Sequence, residues 1–464
     1  MKKLKILMVI AAFYPYTGGA EKQAQKLACE LVKKGVDVTV VTGRWDNNLK
    51  KTEEIDGLKV IRNLTNFDFR KKEKIDTDRS FFYTEPLNKK SIKKSIKIIL
   101  RKIFVRLSVY VYQFSLFFFL ISHRRQYDVI HVHQVLYPAY ISTLCARILK
   151  KPVIAKVGSS GSNSDINQIK ELPGGGLQLR YILKNIDRII CTSKVMIEEF
   201  VEEGADRDKI VLIRNGVNVT DFTRSYESCS TLATMGRFIK SKNIDTLIGA
   251  FSKLVRSSSK DLKLILIGDG PEKDNIVSLI NKSGLEERVT LTGMVDNPED
   301  FLKKSDLFVF PSLVEGLSNS LIEAMSFKLP CIVSSIPGNI EVLGDESQDN
   351  KSPDDEFPGD EFQSAESQDD GSPDDEFPGD DNSCYDIKNG EFKVTKCGVF
   401  FNPCDVDGLV NAISYVMDNY EIRKKLGENA YRKILSEYNI ESIADRYLRL
   451  YKEILKQNKE VLEQ

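Results

Sequence analysis

The sequence predicts an α/β protein made of two doubly wound halves, each a parallel sheet covered by helices on both faces. Three observations carry that reading. Apolar strand-like runs alternate with helical periods through most of the chain. The series closes at Asn215-Gly216 and a second series opens at Leu232. Strand after strand of the second series then stops at glycine or proline: Gly236, Gly268, Gly293 and Pro311.

In chain order, Ile6–Ala11 is the first buried strand. Its basic lead-in resembles a signal peptide, but the apolar run is short. It leads through Pro15 and Gly18-Gly19 into an amphipathic helix, Glu21–Lys34, so a strand is the better reading. Gly35 stops that helix. Strands Val36–Thr42, Asp128–His133, Pro152–Val157, Arg188–Cys191 and Lys209–Arg214 complete the first half. The second half reads Leu232–Met235, a helix Ile244–Arg256, then Leu262–Ile267, Val289–Leu291, Leu307–Phe310 and Cys331–Ser334. Two helices, Glu421–Leu435 and Ile440–Lys456, have no strand between them and are expected to pack across the domain junction. The expected domains are 1–222 and 223–438, with a terminal helix 439–464.

A chain of 464 residues permits two or three domains, each with its own core. Its net charge is zero, but the acids are segregated. Residues 346–383 hold 15 acids and one base, Lys351, and the remainder carries 66 bases against 52 acids, a balance of +14. Such a body calls for an anionic partner: phosphate groups, nucleic acid or an acidic membrane face. Within the acidic segment, Glu346–Asp360 recurs as Glu366–Asp380 at a 20-residue period. Rich in proline and like charge, it cannot bury enough apolar surface to fold, and it lacks the glycine and glutamate spacing of a calcium loop. A disordered insertion is expected. Eight cysteines without a C-x-x-C pair, and three histidines, argue against zinc and for a reducing cytoplasm.

The chemistry concentrates in Phe310–Met325, where a strand stops at Pro311, a loop carries Glu315 and Gly316, and Ser318 or Asn319 caps a helix. The N–H groups of Gly316, Leu317 and Ser318 would face an anion at the helix start. Glu323 follows one turn in, placed to accept hydrogen bonds from hydroxyls. Two carboxylates beside an anion site make sense for a ligand that offers both phosphate and hydroxyl groups. An ordinary capped helix with solvated glutamates explains the stretch equally well when it is taken alone. Upstream, Met235–Lys242 ends a strand with Arg237, able to grip phosphate oxygens bidentately, and Lys242, a point charge; a basic surface turn is the plain alternative. Gly268-Asp-Gly-Pro271 is a turn at the carboxyl edge, where doubly wound sheets bind ligands.

Together these pieces resemble the group 1, or family four, glycosyltransferases of the GT-B fold, over nearly the whole chain outside the insertion. Gly18-Gly19-Ala20-Glu21 is similar to the family's N-terminal glycine loop, Asp128–His133 to its strand ending in histidine, and Asn215–Asn218 to its interdomain turn. Glu315 and Glu323 match its E-x7-E signature, and Arg237 and Lys242 its diphosphate-binding pair. The resemblance implies two Rossmann-like domains facing each other across a cleft, with C-terminal helices crossing between them. It implies a retaining, metal-independent hexosyltransferase that takes a UDP- or GDP-sugar and uses no cofactor. Arg237 and Lys242 would neutralise the leaving diphosphate, and Glu315 with Gly316, Leu317 and Ser318 would hold donor sugar and phosphate. Glu323 would hold the ribose, Gly18, Gly19 and Gly268 would line the donor, and His133 would face the transferred sugar. His131 is expected to face the opposite side of the strand as a structural histidine.

Three positions depart from the family pattern. Lys328 stands where glycine is usual, the loop Lys156–Asp165 lacks the histidine of many members, and the acidic repeat interrupts the stretch between Glu341 and Gly398. Asp405-Val-Asp407 mimics a D-x-D metal motif but is read as a helix cap. Two other functions stay open: a nucleotide-sugar epimerase of the same fold, and a non-catalytic nucleotide-sugar binding or scaffold protein.

From Pro86 to Tyr127 there are ten Lys or Arg residues and no acid. Lys90, Lys93, Lys94, Lys97 and Arg101 fall on one side of a helix, opposite Ile92, Ile96, Ile99, Ile103 and Leu107. Residues 107–121 continue almost wholly apolar and aromatic, too short with Arg106 and Gln113 to span a bilayer. Peripheral attachment of 89–121 to the anionic inner face of the cell membrane is expected, at a glycan or lipid-linked acceptor, with no nucleic-acid partner.

Overall fold

The computed structural model describes residues 3–15, 18–44, 46, 48–62, 109–161, 164–172, 174–344 and 387–463. The acidic repeat and residues 89–108 of the basic stretch lie outside the described residues. The chain divides into two compact units, Met1–Val219 with Leu435–Gln464, and Thr220–Ile434.

The first unit contains β1 (Lys5–Ile10), α1 (Gly19–Lys33), β2 (Asp37–Thr42), β3 (Thr52–Ile55) and β4 (Leu58–Arg62). After a helix α2, described over 109–122, come β5 (Val129–His133), α3 (Tyr137–Leu149) and β6 (Val153–Lys156). The helices α4 (Asp165–Lys170) and α5 (Gly175–Asn185), then β7 (Arg188–Cys191), α6 (Lys194–Glu202) and β8 (Ile210–Leu212), follow. Its eight strands run in the order β3-β4-β2-β1-β5-β6-β7-β8. All pairings are parallel except β3 with β4.

The strand residues are buried on both sides because helices cover both faces. Ile130 and Val132 pack with α2, α3, α5 and α6, whereas Val129 packs with α1 and the terminal helix. Period-two alternation sorts the residues of one strand between two separate cores. Tyr447, Leu450 and Tyr451 are fully buried on the second of these faces. Each such side chain contributes about 1.5–3 kcal/mol by leaving water.

The second unit contains β9 (Thr231–Met235), α7 (Ile244–Ser257), β10 (Lys263–Ile267), α8 (Lys273–Ser283), β11 (Val289–Gly293) and α9 (Glu299–Lys304). It continues with β12 (Leu307–Phe310), α10 (Asn319–Met325), β13 (Cys331–Ser334) and α11 (Pro337–Leu343). Then come β14 (Phe392–Val394), β15 (Val399–Phe401), α12 (Val406–Asp418) and α13 (Tyr420–Lys433). The order is β11-β10-β9-β12-β13-β15-β14, with β14 alone antiparallel. A π-helical stretch, Ile434–Tyr438, leads into α14 (Ile440–Glu463), which belongs to the first unit and packs on α1.

Both sheets are wound outward from an inner strand, β1 in one and β9 in the other. The winding direction reverses between β1 and β5, and between β9 and β12. A crevice at the carboxyl ends of the strands opens at such a reversal, and ligands of doubly wound sheets bind there.

Candidate active site

In the second unit, three loops meet at the reversal between β9 and β12. The first follows β9 and holds Gly236, Arg237 and a 3-10 turn, Lys240–Lys242. The second, Gly268–Pro271, follows β10 and is zipped to the first. Gly236 donates to the Ile267 carbonyl at 2.9 Å, and Phe238 to the Asp269 carbonyl at 2.9 Å. The zip requires glycine at 268. Its φ is +142°, and a Cβ there would lie 1.9 Å from the Gly236 carbonyl oxygen. The third loop follows β12, and its Leu313 N–H donates to the Ser241 carbonyl at 2.7 Å.

This lacing brings Lys242 and Glu315 together. The Lys242 ammonium hydrogen-bonds the Glu315 carboxylate, and both side chains are mostly buried. Lys242 Nζ also lies 4.8 Å from the centre of the Phe310 ring, an arrangement that holds a cation electrostatically. Arg237, Gly316 and Glu323 are half-buried, while Leu317 and Ser318 are buried. Ser318 is the N-cap: its Oγ accepts from the Leu321 N–H at 3.3 Å, and Asn319 is the first helical residue.

Two sequence-level questions are answered in this unit. Lys328 takes φ +56°, the left-handed conformation that favours glycine. The turn is kept by Tyr226, whose hydroxyl donates to the Lys328 carbonyl at 3.0 Å, while the Lys328 ammonium sits 4.8 Å over the Tyr431 ring. Asp405 caps α12, accepting from the Asp407 and Gly408 N–H groups at 3.0 Å.

In the first unit, Gly18 is the N-cap of α1 in extended conformation, with Gly19 as the first helical residue, beyond the end of β1. His133 ends β5, next to β1 at the reversal. It is 3 % exposed, and burial, then the nearby Lys156 charge, lowers it to about 3, so it is a neutral imidazole.

The expectation for His131 is wrong. Positions two apart on a strand share a face, and the two imidazoles stack with centroids 4.3 Å apart. His131 is structural in another way: its Nδ1 lies 2.7 Å from the Tyr451 hydroxyl of α14.

Sequence reasoning passed over Asp165, which is fully buried. One of its oxygens accepts from the Val135 N–H at 2.7 Å and the Gly158 N–H at 2.9 Å, tying the loop after β5 to the loop after β6. Gln134, between them, is held at φ +76°. Lys156 was passed over as well, although a lysine closing an apolar parallel strand is a readable signal.

Known proteins fall in line with this geometry. The family described as "Glycosyltransferase Family 4" matches residues 17–221, and that described as "Glycosyl transferases group 1" matches residues 221–353. The chain is 23% identical over 350 residues to the N-acetyl-alpha-D-glucosaminyl L-malate synthase of Bacillus anthracis, covering 73% of this chain and 78% of that protein. It is 30% identical over 167 residues to a Campylobacter jejuni N-acetylgalactosaminyltransferase. That protein is named for N-acetylgalactosamine-N,N'-diacetylbacillosaminyl-diphospho-undecaprenol, and the match covers 34% of this chain and 45% of it. The crystal structure of Anabaena HepE in complex with UDP superposes with a TM-score of 0.62 at 13% identity, covering 97% of this chain and 100% of that one. Such a likeness shows the fold, GT-B. The chain belongs to the group 1, family four glycosyltransferases.

Proposed function

We propose that the protein is a retaining hexosyltransferase that moves a sugar from a UDP- or GDP-sugar to a glycan or lipid-linked acceptor in the making of cell-surface polysaccharide or glycolipid. The observation that carries this reading is the half-buried Lys242–Glu315 pair at the β9/β12 reversal. A cation and a carboxylate side by side suit a ligand with phosphate at one end and hydroxyls at the other. Relatives named for malate and diphospho-undecaprenol, and a structural neighbour that holds UDP, support the same chemistry.

In this reading the bond from the anomeric carbon to the diphosphate oxygen breaks, and the acceptor hydroxyl oxygen takes its place, its proton passing to the departing diphosphate oxygen. Negative charge grows on the departing diphosphate. Fixed cations aimed at such charge stabilise the transition state. Arg237 and Lys242 take that role, so no divalent metal is called for. Before donor binds, Glu315 neutralises Lys242; donor hydroxyls engage Glu315 and free the ammonium for phosphate. Gly316, Leu317 and Ser318 offer amides, Glu323 takes the ribose, and Gly18, Gly19 and Gly268 give the donor room. His133, neutral at physiological pH, hydrogen-bonds a sugar hydroxyl and does not act as an acid. Arg237→Ala or Glu323→Ala each removes about 2–4 kcal/mol of transition-state stabilisation. Near-normal turnover by both variants at saturating donor overturns the assignment.

The acceptor places the enzyme on the cytoplasmic face of the membrane. Tyr110, Val111, Phe114 and Phe118 are exposed on α2, the last two by 68% and 64%. They form an aromatic face on the part of the basic stretch that is described. Among the described residues no helix is long and apolar enough to cross a membrane. An exposed aromatic face with a basic run beside it in sequence suits an anionic lipid surface.

A further inference from the structure

His131 and His133 of β5 and Lys156 of β6 converge on the α14 face of the first sheet. His133 and Lys156 are register partners across the two strands. Lys156 is 7% exposed, and its Nζ lies 5.8 Å from the centre of the Tyr447 ring. Burial alone lowers its ammonium to about 7, and among the described residues no carboxylate acts on it. A buried amine with no counter-charge is unusual, because buried charges are normally paired. Beside it, His131 Nε2, His133 Nε2 and the Tyr447 hydroxyl are buried without hydrogen-bond partners. The Tyr451 hydroxyl, 2.7 Å away, takes up Nδ1 of His131, which leaves Nε2 as that ring's unpartnered nitrogen. A lysine with no carboxylate beside it, two imidazoles and a phenol, each able to present a proton from a nitrogen or oxygen that has no partner, suit a group with several anionic oxygens.

We propose that Lys156, with the His133 imidazole and the Tyr447 hydroxyl beside it, forms an anion subsite of the first unit that takes a phosphate carried by the acceptor. This rests on reading the chain as a glycosyltransferase whose first unit serves the acceptor. The fold supports the placement: Lys156 ends β6 at the carboxyl edge, under loops pinned by Asp165.

The test uses the full-length enzyme, saturated with UDP and labelled with carbon-13 at lysine Cε. At neutral pH, one lysine signal, missing from Lys156→Met or, if that variant fails to fold, from Lys156→Gln, is expected to move toward its charged position when inorganic phosphate is added. No movement overturns the proposal. Movement caused by UDP alone, with phosphate adding nothing, also overturns it, because Lys156 then serves the donor. In turnover with membrane lipid extract, the same variant should raise the KM for extract at least tenfold and leave the KM for donor unchanged. An unchanged extract KM overturns the acceptor assignment. If no nucleotide sugar is turned over at all, the functional reading fails, while the phosphate response still judges the subsite by itself.

Discussion

Replacing Gly268 with alanine tests whether the three loops at the β9/β12 reversal act as one laced unit. The added Cβ would sit 1.9 Å from the Gly236 carbonyl oxygen and 3.3 Å from the Phe238 ring, where real Cβ contacts do not fall below 3.0 Å. The loop after β9 must therefore move by about 1 Å, the gap between those two distances, and it carries Arg237 and Lys242 with it. The backbone at φ +142° adds strain of about 1–3 kcal/mol for any residue with a Cβ, and the clash adds about 1–3 kcal/mol more. At about 2–4 °C per kcal/mol for a domain of this size, the transition of the second unit should fall by roughly 4–24 °C. Gly284→Ala is the control. Gly284 has φ +65° but nothing within 4 Å of its Cβ position, so only the left-handed penalty of about 1–2 kcal/mol applies. Differential scanning calorimetry reads both variants, and isothermal titration with UDP reads the loop. The reasoning predicts a larger drop and at least tenfold weaker UDP binding for Gly268→Ala alone. Equal drops, or unaltered UDP affinity, refute it.

Further outcomes follow from the same geometry. In a double-mutant cycle, Lys242→Ala and Glu315→Ala should show coupling of about 0.5–3 kcal/mol in urea unfolding, because removing either leaves the other half-buried and alone; additive effects would break the pair. Activity should survive EDTA, and complete loss restored by magnesium would show that the diphosphate site is misassigned. Lys156 is lowered from an ordinary 10.5 to about 7, so between those values the unfolded chain holds a proton that the folded chain lacks. Stability of the first unit should therefore rise with pH across that window, by at most about 1.4 kcal/mol per unit, and flatten in Lys156→Met; a slope that persists in the variant assigns it to other groups. Deleting 346–383 should leave a folded, active enzyme, since long surface insertions carry a small entropic cost; an insoluble or inactive product would make the repeat a working element.

The alternation of apolar runs with helical periods made both sheets legible because nearly every strand is parallel and buried on two faces. Four strands among the described residues are not read from the sequence: Leu58–Arg62 and Val399–Phe401 are short although each pairs in parallel with a neighbour, and the other two lack that character. Thr52–Ile55 reads Thr-Glu-Glu-Ile and lies at a sheet edge, where one face meets water, and Phe392–Val394 is a three-residue edge strand. Lys242 and Glu315 could be named from sequence because each sits beside a strand end marked by glycine or proline. Their ion pair could not, since 73 residues separate them and only the lacing of the loops brings them together. The cluster around Lys156 was harder still. Tyr447 and Tyr451 come from the far end of the chain, His131 being 320 residues from its hydrogen-bond partner. Period two itself puts His131 and His133 on one face of β5, as their stacked rings show. Asp165 gave no signal beyond its chemistry, because a carboxylate that fixes two loops reads in sequence like any acid at a helix start.

The most direct test of the central claim is turnover. The purified enzyme is incubated with UDP- and GDP-sugars and membrane lipid extract, and the product is followed by mass spectrometry and its anomeric configuration by proton NMR. The account predicts that one nucleotide sugar yields a glycosylated product with the donor's anomeric configuration, with release of the nucleoside diphosphate. That product should fall at least thirtyfold in Arg237→Ala and Glu323→Ala, about 2 kcal/mol in barrier. An inverted product, an epimerised donor without transfer, or undiminished turnover in both variants would contradict it.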